Sequence, residues 1–247
     1  AEYRRGQLRK MPNVALYPES DLSADDVLAF GADHVVVATG ARWTDTLCQP
    51  TELPGGRATG PRVYTPDDLA RGVVPEGPVA VFDFDNYYLG TAVAEGLAAK
   101  GLAVTHITTA GAAAGWSFLT NEQQLIHQAL LKRGITSRTL EIVRDFDGET
   151  LTLAQIYSGE ARSIASRSLV VVGLRAGGSA LYDALAAREN GAAAIRSLHL
   201  TGDANAPGAI AHAVYQGHRT ARELGVSQGG VRIRRDAGFL TEDALAP

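Results

Sequence analysis

The sequence contains one cysteine, no long apolar run and no basic stripe, and each of these shortages excludes a class of protein. Cys48 has no second cysteine to pair with, so no intramolecular disulfide can form, and a reducing, cytoplasmic setting is expected. One thiol cannot hold an iron–sulfur cluster, which needs about four cysteines. A lone cysteine in a loop-like segment is also not expected to act as a nucleophile, so we predict no catalytic residue in this chain.

Apolar length and positive charge exclude further classes. The longest apolar runs, such as residues 35–38 and 169–172, have the length of strands and are far too short to span a bilayer. The 27 acidic and 23 basic residues give a net charge of −4 without a basic cluster, so nucleic acid is not an expected partner. The six histidines are scattered, and we predict no metal site.

The sequence does contain an alternation of short β-branched runs and Ala-rich helical segments. This alternation predicts an α/β fold in which parallel strands are joined by helices. Ser23 with Asp26, and Thr65 with Pro66, are typical helix starts, and Asp147-Gly148 predicts a hairpin turn. The glycine-rich segment 173–178 is predicted to be a turn after a strand, since it lacks the Lys-Ser/Thr ending of a phosphate loop.

A first candidate site follows the apolar strand at residues 34–38. Thr39, Gly40 and Ala41 come directly after it, and their small side chains would let a nucleotide or another backbone approach closely. The alternative is a buried strand followed by an ordinary glycine turn.

A second candidate site follows the strand predicted over residues 195–200. Gly202 and Asp203 end that strand, and a carboxylate there can accept hydrogen bonds from ribose hydroxyls. The helix that starts at Ala209 and Ile210 would offer free N–H groups and a positive dipole end to a pyrophosphate. The alternative is that Asp203 only caps the turn.

Both segments belong to a longer match. The chain resembles the C-terminal half of the trimethylamine, dimethylamine and histamine dehydrogenases, which are related to old yellow enzyme and the dienoyl-CoA reductases. The matching segments are residues 32–43, 64–69, 81–90, 201–207 and 217–223.

This resemblance implies a domain arrangement. We expect two interleaved Rossmann-like domains of the FAD/NAD(P)-binding type: residues 1–62 and 173–247 form an incomplete FAD- or ADP-binding-like domain, and residues 63–172 form an inserted NAD(P)-binding-like domain. The opening βαβ segment of the first domain, with its glycine-rich turn, would precede Ala1. We therefore expect an unpaired sheet edge and exposed apolar surface in that domain.

In the inserted domain the glycine-rich fingerprint is degenerate. A dinucleotide needs glycines so that its pyrophosphate can touch the backbone, but here only Gly90 remains. We expect aromatic side chains to fill the space and two carboxylates to repel phosphate. The segment reads Phe82-Asp83-Phe84-Asp85-Asn86-Tyr87-Tyr88-Leu89-Gly90.

The resemblance also implies cofactors and partners. In the family, a barrel domain carries FMN and an iron–sulfur cluster, and electrons pass on to an electron-transferring flavoprotein. The C-terminal half holds ADP where FAD would bind, so Thr39, Gly40 and Asp203 are expected at an ADP or FAD site. We expect this chain to be the nucleotide-binding part of an amine dehydrogenase-like oxidoreductase and to be inactive alone. The alternatives are a separately encoded subunit of a heteromeric flavin oxidoreductase, or a non-catalytic module for assembly or for docking an electron-transfer partner.

Overall fold

The computed structural model describes residues 2–47, 58, 61–188 and 195–224. Three parts of the chain named in predictions lie outside the described residues: Cys48, most of segment 53–61 and the tail after Leu224. The sequence predicts that this tail wraps over the surface or is mobile. The α-helices are α1 (Glu2–Arg9), α2 (Ala24–Phe30), α3 (Pro66–Ala70), α4 (Leu89–Ala99), α5 (Gln123–Lys132), α6 (Ala180–Ala186) and α7 (Ile210–Glu223). The strands are β1 (His34–Val37), β2 (Ala41–Trp43), β3 (Val63–Tyr64), β4 (Val79–Asp83), β5 (Val104–Thr108), β6 (Thr136–Thr139), β7 (Glu141–Phe146), β8 (Thr150–Gln155), β9 (Ala161–Ala165), β10 (Ser168–Val172), β11 (Arg175–Gly177) and β12 (Ser197–Leu200).

The fold is mixed α/β with parallel strands, and the chain divides into two compact units. The first unit comprises Ala1–Thr39 and Gly178–Pro247. Its strands β1 and β12 pair in parallel, with Val37 opposite Leu200. Its described core is small, since only Ala24, Val37 and Leu185 form its buried hydrophobic cluster.

The second unit comprises Gly40–Gly177 and contains most of the buried apolar residues. Its main sheet is parallel and has the strand order β3-β10-β4-β5-β6. Strands β4 and β10 are buried along their whole length because both faces of this sheet are covered, and alternate residues of β4 pack into two different hydrophobic clusters. The boundaries predicted at residues 62/63 and 172/173 stay a prediction.

Local sequence signals explain where several elements begin. The Ser23 side chain accepts the amide N–H of Asp26, the Asp26 carboxylate accepts the Ser23 N–H at 2.9 Å, and α2 starts at the next residue. Thr65 donates its amide N–H to the Asp68 carboxylate at 2.7 Å where α3 starts. Both predicted helix starts are therefore confirmed.

The predicted hairpin at Asp147-Gly148 is confirmed as well. Strands β7 and β8 pair antiparallel on either side of it, and the Asp147 carboxylate accepts the amide N–H groups of Glu149 and Thr150 at 2.8 and 2.7 Å. Gly148 has φ of +97°, in the region that favours glycine. Strand β9 extends this hairpin into a three-stranded antiparallel sheet.

One prediction of local structure is wrong. Residues 175–177, predicted as part of a turn, form strand β11, which pairs antiparallel with β2. A three-residue strand carries too little periodicity to be recognised, and its partner is more than a hundred residues away along the chain.

Among the described residues, no helix is long and apolar enough to cross a membrane.

Candidate functional site

The ends of β1 and β12 define the candidate site of the first unit. These strands are parallel neighbours, so the residues that follow them leave the sheet at the same edge. The Thr201 amide N–H donates to the Val37 carbonyl at 3.0 Å and continues the pairing past the end of β12. The Thr201 side chain is buried, and its hydroxyl lies 2.9 Å from the hydroxyl of Thr220 on α7. This bond ties the helix to the end of the strand.

Asp203 lies three residues after Leu200, the last residue of β12, and directly after Gly202. Gly202 has φ of +63°, which favours glycine, and a 3₁₀ helix follows over Gly202–Ala204. The Asp203 carboxylate accepts the Gly208 amide N–H at 3.2 Å, so the capping role considered for this residue is present. A carboxylate has acceptor capacity for about four hydrogen bonds, so this contact is compatible with further bonds from ribose hydroxyls.

The start of α7 carries a residue that sequence reasoning missed. The His212 Nδ1 atom lies 3.2 Å from the Ala209 amide nitrogen and accepts its N–H. Gly208 packs closely under this ring, because a Cβ at Gly208 would lie 2.7 Å from His212 Nδ1. His212 therefore occupies the first free N–H of the predicted pyrophosphate site. Its place in the first turn of the helix, three residues after Ala209, is the signal that could have identified it.

The other predicted site residues are distributed over the two units. Thr39 belongs to the first unit, and its hydroxyl donates to the carbonyl of Gly178. Gly40 and Ala41 belong to the second unit: Gly40 has φ of +77°, and Ala41 lies in β2 opposite Gly177. Ile210 begins α7 and is 84% exposed.

In the second unit, the carboxylate of Asp83 fills the space beside Gly90. Asp83 is fully buried at the end of β4, and a Cβ at Gly90 would lie 2.3 Å from its Cγ atom. One carboxylate oxygen accepts the Asn86 amide N–H at 2.9 Å, and the other lies 3.1 Å from His106 Nε2. The glycines of a dinucleotide motif keep such a space open for a pyrophosphate.

The aromatic side chains of this segment lie elsewhere. Phe84 packs against the hydrophobic cluster that contains Phe82 and Phe146. The rings of Tyr87 and Tyr88 contact each other edge to face, with their centroids 5.0 Å apart, and Tyr88 is 52% exposed. The group that lies against Gly90 is therefore a carboxylate, whereas the sequence pattern predicts aromatic rings in this space.

Asp85 is a half-buried carboxyl in the same segment. Burial raises its pKa, the Asp83 carboxylate raises it further, and Arg175 opposes both effects. Arg175 also lies over the Trp43 ring, with its guanidinium carbon 5.2 Å from the ring centroid. The ionised form of Asp85 is thus disfavoured in the folded protein.

Asp85→Asn should raise the melting temperature at neutral pH by about 2 °C, the size expected for a change of up to about 1 kcal/mol. An acid with a raised pKa in the native state destabilises the fold as pH rises from its unfolded pKa through the folded one. The gain should therefore shrink toward zero at acid pH, where both states are protonated. Thermal melts of both proteins between pH 3 and pH 8 measure this, and a gain that does not depend on pH would contradict it.

Among the described residues, no group of three or more His, Cys, Asp or Glu side chains could hold a metal ion. The polar groups with a possible chemical role are the Asp203 carboxylate, which lies between β12 and α7 in the first unit, and the buried Asp83 carboxylate with its hydrogen-bond partners in the second unit.

The mixed α/β fold is shared with solved flavoprotein oxidoreductases. The flavoprotein disulfide reductase RclA from Escherichia coli superposes with a TM-score of 0.51 over 80% of this chain and 46% of its own, at 18% identity, which shows the fold alone. Histamine dehydrogenase from Rhizobium sp. 4-9 superposes with a TM-score of 0.88 at 34% identity, over 94% of this chain and 37% of its own.

Sequence comparison identifies the family. Dimethylamine dehydrogenase from Hyphomicrobium sp. (strain x) is 31% identical over an alignment of 252 positions, which covers 90% of this chain and 34% of the relative. The chain belongs to the amine dehydrogenase family of oxidoreductases that contains dimethylamine and histamine dehydrogenase, and the resemblance read from the sequence is confirmed. The chain spans about a third of the length of these relatives. No family model matches it.

Proposed function

We propose that this chain is the nucleotide-binding C-terminal portion of a flavin- and iron–sulfur-dependent amine dehydrogenase. The first unit, which corresponds to the FAD- or ADP-binding domain, would bind ADP or FAD. The observation that carries the proposal is the family match over nine-tenths of the chain, combined with Asp203 at the carboxyl end of β12 and α7 directly after it. Family membership supports the oxidoreductase class, and the strand-end geometry supports the location of the nucleotide.

The residues of the first unit fit the adenosine diphosphate part of such a cofactor. Asp203 would accept hydrogen bonds from the ribose hydroxyls, while the N–H groups of Ala209 and Ile210 would face the pyrophosphate. His212 would have to release the Ala209 N–H for this contact, and in its protonated form it would add a positive charge beside the phosphates. Thr39 would lie beside the nucleotide at the end of β1, and the expectation that Gly40 and Ala41 contact it stays a sequence-based prediction.

The second unit fits a nicotinamide dinucleotide poorly. Asp83 brings a carboxylate to the position that a pyrophosphate would need, and it is held there by Asn86 and His106. The second unit would therefore serve as a structural domain without NAD(P)H. The flavin mononucleotide and the cluster would lie on the barrel part of the whole protein, since this chain has one cysteine. When bound there, the flavin would supply the two-electron chemistry of amine oxidation, and an electron-transferring flavoprotein would be the acceptor.

The exposed apolar surface of the first unit supports a role as part of a larger protein. None of the 14 residues of α7 is buried, and the helix includes the apolar residues Ile210 and Val214, which are 84% and 52% exposed. Val36 on β1 is 43% exposed, and Phe30 at the end of α2 is 71% exposed. Where exposed apolar residues form one contiguous patch, they mark an interaction site in soluble proteins. The rest of the dehydrogenase polypeptide would cover it.

Asp203→Asn should weaken ADP or FAD binding by about 10- to 100-fold. A hydrogen bond to a charged group contributes about 1.5–3 kcal/mol, and each 1.4 kcal/mol changes affinity tenfold. The measurement is calorimetric titration of ADP, and separately of FAD, into the complete native protein and the variant.

Asp33→Asn is the matched control for this titration. Asp33 is an exposed carboxylate of the same unit, paired with Arg196 at 3.2 Å next to β1. Its substitution should leave the affinity unchanged. Equal affinities of the Asp203 variant and the wild type, or a wild type that binds neither nucleotide, would contradict the proposal.

A further inference from the structure

Three polar side chains form a hydrogen-bonded line across β4, β5 and β6 in the second unit, and none of them belongs to the nucleotide site proposed for the first unit. The Asp83 Oδ2 atom lies 3.1 Å from His106 Nε2, and His106 Nδ1 lies 3.0 Å from the Ser137 hydroxyl oxygen. Asp83 and His106 are fully buried, whereas Ser137 is exposed on β6, the edge strand of the sheet. The line therefore leads from the interior of the unit to its surface.

The hydrogen-bond network assigns the protons. A carboxylate only accepts hydrogen bonds, so the Nε2 atom of His106 that faces Asp83 carries the ring hydrogen. The other nitrogen, Nδ1, then has a free lone pair, and the Ser137 hydroxyl donates to it. The opposite tautomer would place a lone pair of the ring against the carboxylate oxygens.

The orienting carboxylate has little freedom to move. Its second oxygen accepts the Asn86 amide N–H at 2.9 Å, and its side chain lies against Gly90, where even a methyl group would overlap it. Parallel pairing places His106 directly opposite Ser137 in the register of β5 and β6. The donor and acceptor atoms are therefore held by the backbone of three neighbouring strands.

We propose that Ser137 is an activated nucleophile for acyl transfer, with His106 as its general base and Asp83 as the group that orients the base. The three residues are linked in the same order as the serine, histidine and carboxylate that activate a hydroxyl on several unrelated folds, with the two ring nitrogens exchanged. Ser137 Oγ forms a bond to the acyl carbon while its proton moves to His106 Nδ1. The bond to the leaving group breaks, and the leaving group departs with the proton that His106 returns.

Activated esters form the substrate class that this arrangement fits. The three side chains supply a nucleophile and a base, while stabilisation of an oxyanion is a separate contribution. An aryl ester depends least on that contribution, because its leaving group is already a weak base. General-base catalysis by a positioned side chain contributes about 10²- to 10⁴-fold, so acylation of Ser137 should exceed that of an ordinary exposed serine by about 100-fold.

The test compares two serines in one sample. The full chain is incubated with p-nitrophenyl acetate, and the acetyl group is located by peptide mass spectrometry over time. Ser163 is the internal reference, because it is an exposed serine on strand β9 of the antiparallel sheet. Ser137 should be acetylated about 100-fold faster than Ser163, and Ser137→Ala should abolish the fast site while Ser163→Ala should not affect it. Equal rates at the two serines would overturn the proposal.

A second variant tests the base directly. Asp83→Asn keeps the shape of the side chain, but its amide can donate to His106 Nε2 and turn the ring hydrogen toward Ser137, which removes the base. Acetylation of Ser137 should then fall by about 100-fold in a variant whose circular dichroism matches the wild type. Unchanged acetylation in this folded variant would also overturn the proposal. If the variant does not fold, the comparison of Ser137 with Ser163 in the wild type decides alone.

Discussion

Replacing Gly90 with alanine should destabilise the second unit by about 3 kcal/mol, because the added methyl group would occupy the position of the Asp83 carboxylate. The new Cβ would lie 2.3 Å from Asp83 Cγ and 2.4 Å from Oδ2. Asp83 cannot move aside cheaply, since it is fully buried and bonded to Asn86 and His106. Either α4 shifts away from β4, or the carboxylate loses its partners inside the core.

Urea denaturation followed by circular dichroism measures this loss, and α4 supplies its own control. Gly96 lies on the same helix, and apart from its chain neighbours and the backbone of the helix itself, no described atom lies within 4 Å of the position that an added methyl group would take there. Gly96→Ala should therefore stabilise the helix by up to about 1 kcal/mol. Removing the obstacle should partly rescue the first variant: Gly90→Ala combined with Asp83→Ala should be more stable than the sum of the two single changes implies. Strict additivity would contradict the overlap.

Leu185→Ala should unfold the first unit while the second remains folded. Leu185 is 2% exposed on α6 and is one of the three residues that form the buried cluster in the described part of that unit. Leucine-to-alanine changes in a core cost about 2–5 kcal/mol, and so small a core has little stability in reserve. The change should also abolish the proposed binding of ADP or FAD, since Asp203 and α7 belong to the same unit.

Hydrogen–deuterium exchange resolved by peptide separates the two units in this experiment. In the variant, amides of β1, β12 and α7 should exchange rapidly, while those of β4 and β10 keep their protection. Leu16→Ala is the control, because Leu16 belongs to the same unit but is 51% exposed. In the complete protein the effect should be smaller, because the rest of the polypeptide would cover the apolar face of α7. Protection of β1 and β12 that survives in the variant chain would contradict the prediction.

The two units differ in the surroundings of the carboxylate that lies between a strand end and the following helix. In the first unit the carboxylate after β12 lies on a turn and accepts a backbone N–H. In the second unit the carboxylate at the end of β4 turns inward and joins a buried network with His106. This difference supports the proposal that the first unit binds a nucleotide and the second unit does not.

Features that depend on neighbouring residues could be predicted from the sequence. The Ser23 and Thr65 helix starts and the Asp147 turn involve partners within three residues, so their hydrogen bonds are encoded locally. The buried strand β10 could be predicted from the sequence, because residues 169–172 form an apolar run of strand length. Strand β11 could not be predicted from the sequence, because three residues that include a glycine form a strand only when β2 pairs with them.

The sequence by itself determined the α/β class, the family and the positions at which its strands end in chemistry-bearing residues, because these depend on residue types and on short spacings. Only the tertiary structure decided that Asp83 lies against Gly90, and that His106 joins it to Ser137 across separations of 23 and 31 residues. It also decided that His212 reaches back to the Ala209 N–H. Apart from this last, local contact, the reason is strand order: parallel pairing sets which distant residues become neighbours, and side-chain hydrogen bonds form only after that order is established.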